Sequence, residues 1–225
     1  MRHFFVNAPL RPNELLALPK DLAHRLARVL RLRAGTDIAL LNGRDGLFHA
    51  TFDGQNHAQV GQQARLFQAT SSLTLYIALP KRDAMDSILR QATELGIAHI
   101  VPLLADHCVP DKLNMERAHT LLVEAAEQCE RLDIPTLAPP VPLLPTLAAL
   151  KTTIYWCAER IAQTQPWPTH TAPHTGLLVG CEGGFSAKEK ASLLAMPHVA
   201  PVTLGSTILR TDTAVVAGIA KLLTL

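Results

Sequence analysis

Aromatic residues are scarce in this sequence, at 4% of 225 positions, so leucine, alanine and valine must fill its core. No stretch approaches the roughly 18 uninterrupted apolar residues of a membrane span. The opening, MRHFFVNAPL, lacks the long apolar centre of a signal peptide. These absences predict a cytoplasmic protein with no membrane partner. Paired cysteines are missing as well: Cys108, Cys129, Cys157 and Cys181 are scattered, with no CxxC and no nearby CxxH. A zinc site wants ligand pairs at short spacing, and a disulfide scaffold wants a smaller secreted chain. No metal is therefore expected, and the cysteines read as small buried hydrophobes. The GxxxxGK[ST] phosphate loop and the GxGxxG dinucleotide fingerprint are also absent, which makes a nicotinamide-dependent enzyme a distant reading.

What is present is a 48% hydrophobic chain whose small net charge of +2 is unevenly spread. Residues 1–72 carry nine Lys/Arg against five Asp/Glu, a net +4, and the remainder carries a net −2. A basic module joined to a mildly acidic body suggests a polyanion-binding part attached to something else.

In the basic part, Phe4–Val6 reads as an edge strand. DLAHRLARVLRL reads as a helix capped by Asp21 and ended by Gly35, with Leu22, Leu26, Val29 and Leu30 facing inward. Arg25, Arg28, Arg31 and Arg33 lie on its other side or end, either as a solvated face or as a phosphate-contacting patch. Two apolar runs flanking Asn42–Gly46 predict a β-hairpin, and the region around Val60 and Leu66 further strands. From Ser71 the pattern changes to strands alternating with helices. LTLYIALP is a strand, Lys81–Asp83 a polar loop and DSILRQATELG a helix; HIVPLLA is a strand, and Asn114 caps a helix running to Arg131. Prolines make 135–145 and 162–175 extended connections on either side of the strand TIYWCAER, and TAVVAGIAKLLTL closes the chain as a helix. The fold class is α/β, with a mainly parallel sheet covered by helices on both faces.

Two late stretches carry the chemistry: GLLVGCEGGFS (176–186) and VTLGSTILRTDT (202–213). Each is an apolar strand broken at glycine into a loop that leads to a helix, and ligands of open α/β sheets bind at such loops. Ser186 and Glu189 form a capping box that starts the first of these helices at Ala187. In the second stretch, Ile208 and Leu209 are apolar residues within a loop, fit to pack on a flat ring, and Arg210 could meet a phosphate or a neighbouring subunit. Taken singly, each loop also fits a ligand-free tight turn or an ordinary helix start with Thr211 or Asp212 capping.

Taken together, the two stretches resemble the paired GPEGG and LGxRILRTET motifs of the RsmE-type 16S rRNA uridine-N3 methyltransferases, members of the SPOUT superfamily. Nearly the whole chain takes part. Arg2 with Phe4-Phe5 is similar to the family's opening, and His24 with Val29-Leu30-Arg31 to its HxxxVLR helix. Lys81 and ATELG (92–96) are similar to the start of its catalytic domain, and Glu127, Gln128 and Arg131 to its EQxxR helix. Departures are Cys181 for proline, Thr207 for arginine, Asp212 for glutamate, His107 for arginine and Glu130 for glycine.

The resemblance implies a PUA-like RNA-binding domain over 1–71 and a SPOUT domain over 72–225 with a deep trefoil knot, against the usual avoidance of knots. It implies S-adenosylmethionine as cofactor, held by Cys157, Ala158 and Glu159, by Val179, Gly180, Glu182, Gly183 and Gly184, and by Leu204, Gly205, Ile208 and Leu209. Arg210 is the catalytic candidate, and Arg2, His24, Arg25, Arg28, Arg31, Arg33, Lys81 and Arg131 are the RNA-binding candidates. The implied activity is methylation of N3 of a uridine in 16S rRNA of the small ribosomal subunit (uridine 1498 in the usual rRNA numbering) by a homodimer. The alternatives are a SPOUT methyltransferase of another rRNA or tRNA position, and a non-catalytic RNA-binding relative.

Overall fold

The computed structural model describes residues 1–159, 161, 164–168 and 172–223. The chain divides into two compact units: Met1–Thr70 with Ala126–Ile134, and Ser71–Ala125 with Pro135–Leu225. The sequence reading left 126–134 with the second domain, whereas its contacts place it in the first unit.

In the first unit, β1 (His3–Phe5), β2 (Leu15–Ala17), α1 (Lys20–His24), β3 (Thr36–Leu41), β4 (Leu47–Phe52) and β5 (His57–Arg65) follow in order. The strands form one curled sheet in the order β1-β3-β4-β5-β2, with β1 at one edge. The β3–β4 hairpin turns where predicted, with Asn42 Oδ1 accepting the Asp45 N–H at 2.8 Å. Irregular register between β4 and β5 near Phe48 bends the sheet over a core of Phe4, Leu16, Leu22, Leu26, Ile38, Phe52 and Val60. Leu66 lies beyond β5 and is exposed.

The basic helix departs from its prediction. Pro19 occupies the N-cap and Asp21 lies inside the first turn, where a carboxylate favours the helix dipole. After α1 the helix widens into a π-turn over Arg25–Val29, closed by Leu30 N–H to Arg25 O at 2.8 Å. The wider turn breaks the 3.6-residue spacing and leaves Val29 64% exposed while Leu26 is fully buried. Arg31, at φ 53°, ends the helix, well before Gly35.

The second unit contains β6 (Thr74–Ala78), α2 (Arg82–Glu94), β7 (His99–Leu104), α3 (Met115–Gln128, whose last three residues belong to the first unit), β8 (Thr136–Leu137), β9 (Val141–Pro142), α4 (Leu143–Ala148), β10 (Ile154–Cys157), β11 (Gly176–Val179), α5 (Ala187–Leu194), β12 (Val199–Val202) and α6 (Thr211–Leu223). All its strand pairs are parallel, in the order β12-β10-β11-β6-β7-β8 with β9 also on β7. Helices cover both faces. A Cβ at Gly218 of α6 would meet the Leu177 side chain at 2.9 Å, while Leu147 of α4 and Leu193 of α5 pack in a cluster with Leu178; successive strand residues point to opposite faces. From the edge strand β12 the chain returns so that α6 packs on β11 and α2.

Three boundaries moved. α2 begins at Arg82, so Arg82 and Asp83 belong to its first turn instead of a loop. α3 starts after the predicted Asn114 cap, whose Oδ1 accepts the Arg117 N–H at 3.0 Å, and it ends at Gln128, short of Arg131. Pro145 sits in the first turn of α4, where a missing N–H costs nothing. Of the predicted connection 162–175, residues 162, 163 and 169–171 lie outside the described residues, as do 224 and 225 of the closing helix. Among the described residues no helix is long and apolar enough to cross a membrane.

Candidate active site

The C-terminal ends of β10, β11 and β12 stand side by side, because these strands are parallel neighbours. The loops leaving them line a cleft of about 910 Å³. The predicted cofactor residues Cys157, Ala158, Glu159, Val179, Gly180, Glu182, Gly184, Leu204, Gly205, Ile208 and Leu209 all line it, and Arg210 does too. Gly183 does not. It faces away, where an added Cβ would stand 2.9 Å from Cβ of His107, and its carbonyl accepts from Nδ1 of His107 at 2.9 Å. His107, at the position where the family often has arginine, thus holds the back of the glycine loop.

The cleft is shaped by backbone. Gly205, at φ 125°, has a conformation that side chains avoid, and nothing lies within 4 Å of where its Cβ would be. Gly184 likewise leaves that space open. Among the other lining residues, Ile208 is 56% exposed and Leu209 half-buried, which gives the cleft an apolar wall. At the base, Trp156 meets Phe185 edge-on with ring centroids 5.9 Å apart.

The capping box forms as predicted. Ser186 N–H donates to Oε2 of Glu189 at 2.8 Å, and Glu189 N–H to Oγ of Ser186 at 3.2 Å. Glu189 is 3% exposed, and its Oε1 also accepts the Asp106 N–H at 2.8 Å, which ties the segment after β7 to the loop after β11.

Cys181 is the one cysteine of the four that is buried; the other three are half-buried and all are free, so the expectation of uniformly buried cysteines fails. Donation from the Cys108 thiol, aided by the Gly183 N–H, holds the Cys181 thiol below the usual thiol range, while the same contact pushes Cys108 up. Burial pushes Cys157 up to about 12, so it lines the cleft as a neutral thiol.

The sequence reading missed Asp83, Ala84 and Ser87 of α2 and Lys190 of α5, all of which line the cleft. Asp83 and Ser87 are one helical turn apart, a signal hidden by placing the helix start at Asp86, between them.

The RNA-binding candidates separate into two groups. In the first unit Arg2, His24, Arg28, Arg31 and Arg33 are exposed. Arg25 is engaged: its guanidinium lies 2.8 Å from Glu127 and 5.3 Å above the Phe4 ring. Glu127 also accepts the Phe5 N–H at 2.8 Å. Arg131 is 7% exposed and bound to Asp133 at 2.9 Å, whose Oδ1 accepts from the Thr70 hydroxyl. Glu127 and Arg131 of the EQxxR motif therefore bind within the first unit. In the second unit Lys81 is exposed, and its N–H donates to Glu182 at 3.2 Å.

A parallel α/β sheet with an open, glycine-lined cleft at its strand ends defines a protein that binds a nucleotide-like cofactor. The RNA methyltransferase domain family matches residues 68–223, and the chain belongs to it. It is 30% identical over 226 residues to the ribosomal RNA small subunit methyltransferase E of Rickettsia conorii, covering 96% of this chain and 93% of that protein. The enzyme of the same name from Synechocystis is 31% identical, covering 88% of this chain and 69% of that one. The crystal structure of ribosomal RNA small subunit methyltransferase E from Neisseria gonorrhoeae, bound to S-adenosyl methionine, superposes with a TM-score of 0.86 at 25% identity, covering 98% of this chain and 95% of that one. The open space at Gly184 and Gly205, the apolar wall and the cleft volume suit a cofactor of that size and character.

Proposed function

We propose that this chain methylates N3 of a uridine in 16S rRNA of the small ribosomal subunit, as a cytoplasmic homodimer using S-adenosylmethionine. The observation that carries the reading is the cleft: three loops brought together by parallel neighbours, open at two glycines and bordered by Arg210. The names of the relatives, which act on small-subunit ribosomal RNA, support the substrate.

The cofactor supplies an electrophilic methyl group on a sulfonium. This chain's part is placement, because transfer needs the acceptor in line and little acid–base help at the donor. Gly184 and Gly205 offer unobstructed backbone, and Ile208 and Leu209 exclude water from the site. The acceptor, N3 of uracil, is a weak imide acid. A nearby guanidinium favours its deprotonated form, and Arg210 lines the cleft, as Lys190 also does. N3 lies on the pairing edge, so the base must be unpaired and turned out, as in protein readout of single-stranded RNA. The basic first 71 residues supply affinity that does not depend on sequence.

The direct test is incubation with methyl-labelled S-adenosylmethionine and small subunits that lack the modification. The expected result is label at N3 of one 16S uridine. Label at a different nucleotide moves the function to another position. Absence of label from folded, cofactor-binding protein identifies a non-catalytic relative, a reading that Thr207, at the family's arginine position, keeps in view.

A second test concerns the arginines left unengaged by the fold. Changing Arg28, Arg31 and Arg33 to Gln is expected to weaken RNA binding and lower the salt slope by about 2, at roughly 0.7 for each contact to single-stranded RNA. Cofactor affinity is expected to stay constant. An unchanged slope would show the three to be a solvated face.

A further inference from the structure

One aromatic residue outside the cleft is bound to its wall. Residues 164–168 run beside β12, with Gln165 N–H donating to Pro201 O at 2.6 Å and Gln165 bridging Val202 in parallel. Next along this segment, Trp167 Nε1–H donates to the carbonyl of Thr203 at 2.8 Å. Its ring stacks on Tyr155 of β10, with centroids 6.2 Å apart and planes 26° from parallel.

Thr203 is the first residue of the third loop and lines the cleft. Its Oγ1 accepts the Gly205 N–H and donates to the Gly205 carbonyl, both at 3.1 Å. A relay therefore runs from the β10 ring stack through the indole N–H to Thr203, and from Thr203 to Gly205 in its glycine-only conformation. Trp167 does not line the cleft itself. The indole N–H is a directional donor, so it fixes a carbonyl that a phenyl ring of similar shape would leave unfixed.

We propose that Trp167 is a positioning residue for the cofactor, locking the start of the third loop against β10 so that Gly205 and Leu204 meet the bound molecule preformed. The proposal rests on the reading that this cleft holds S-adenosylmethionine. Preforming a loop lowers the ordering cost of binding, so its signature is affinity rather than turnover.

The test uses the full chain and the variant Trp167→Phe, which keeps a ring on Tyr155 and removes only the donor. Calorimetric affinity for S-adenosylmethionine is expected to fall about 2- to 12-fold, the range for one lost hydrogen bond. Turnover at saturating cofactor is expected to stay within about twofold, and Trp167→Ala to lose more affinity than Trp167→Phe. With 5-fluorotryptophan incorporated, the chain's two tryptophans give two fluorine resonances, which Trp167→Phe assigns. Both are expected to shift with cofactor, Trp156 because it lines the cleft and Trp167 through Thr203. Unchanged affinity in Trp167→Phe, or a Trp167 resonance indifferent to cofactor, overturns the proposal. So does an affinity loss that comes with a lowered unfolding midpoint, which would make Trp167 a folding residue. If the unaltered protein takes up no S-adenosylmethionine, the reading of the cleft fails first, and the proposal falls with it.

Discussion

Arg210→Ala is expected to cut methyl transfer by roughly 10²- to 10³-fold at saturating cofactor, the usual cost of removing one group aimed at developing charge. Cofactor affinity is expected to stay within about twofold. The separation follows from where the residue sits. Its carbonyl accepts the Ala214 N–H at 2.8 Å and starts α6, a backbone role that alanine retains. Its side chain lines the cleft and is exposed, and among the described residues it makes no ion pair. Among the described residues no carboxylate pairs with that charge, which supports the proposed role at the acceptor. Single-turnover label transfer with enzyme in excess reads the chemical step, and calorimetry reads the cofactor. If both change together, Arg210 shapes the site and does not act on the acceptor. Arg210→Lys keeps the charge but loses the fork of donors, so it is expected to fall between alanine and the native residue.

Glu189→Ala is the change expected to cost most stability. One carboxylate, 3% exposed, accepts two backbone donors from different segments, Ser186 N–H and Asp106 N–H, each at 2.8 Å. Alanine leaves both without this partner. At about 1–3 kcal/mol for each stranded donor the loss is roughly 2–6 kcal/mol, or on the order of 4–24 °C in Tm for a chain of this size. The cofactor also suffers, because the loop from Gly180 to Ser186 is fixed at its far end by this residue. Glu189→Gln keeps one acceptor oxygen and is expected to lose less. Thermal melts of the two variants with and without cofactor check this. Equal stability in Glu189→Ala would mean that water replaces the carboxylate.

Local features were legible in the sequence and long-range ones were not. The Ser186–Glu189 capping box, the Asn42–Gly46 hairpin turn and the Asn114 cap are written within a few residues, and each formed as read. The two glycine-broken strands were legible for the same reason, and parallel pairing then placed their loops together. Glu189's third bond, to Asp106, spans 83 positions and leaves no local mark. Arg25 read as a free cation because its partner, Glu127, lies 102 positions away. The π-turn has no sequence signature either, and without it Val29 sat on the buried stripe. The start of α2 was misplaced because Lys81 supplies no side-chain cap, and with it went the cleft positions Asp83 and Ala84.

The order of strands in the second unit bears on how the protein assembles. Leu75 and Leu177 are paired neighbours although about a hundred residues separate them, and β10 carries β11 on one side and β12, later in the chain, on the other. Pairings of this kind form late and slowly, since a long loop must close before any contact rewards it. The cleft depends on the last of them. Cofactor uptake during refolding therefore times the completion of the sheet, and partly assembled chains are silent in that signal.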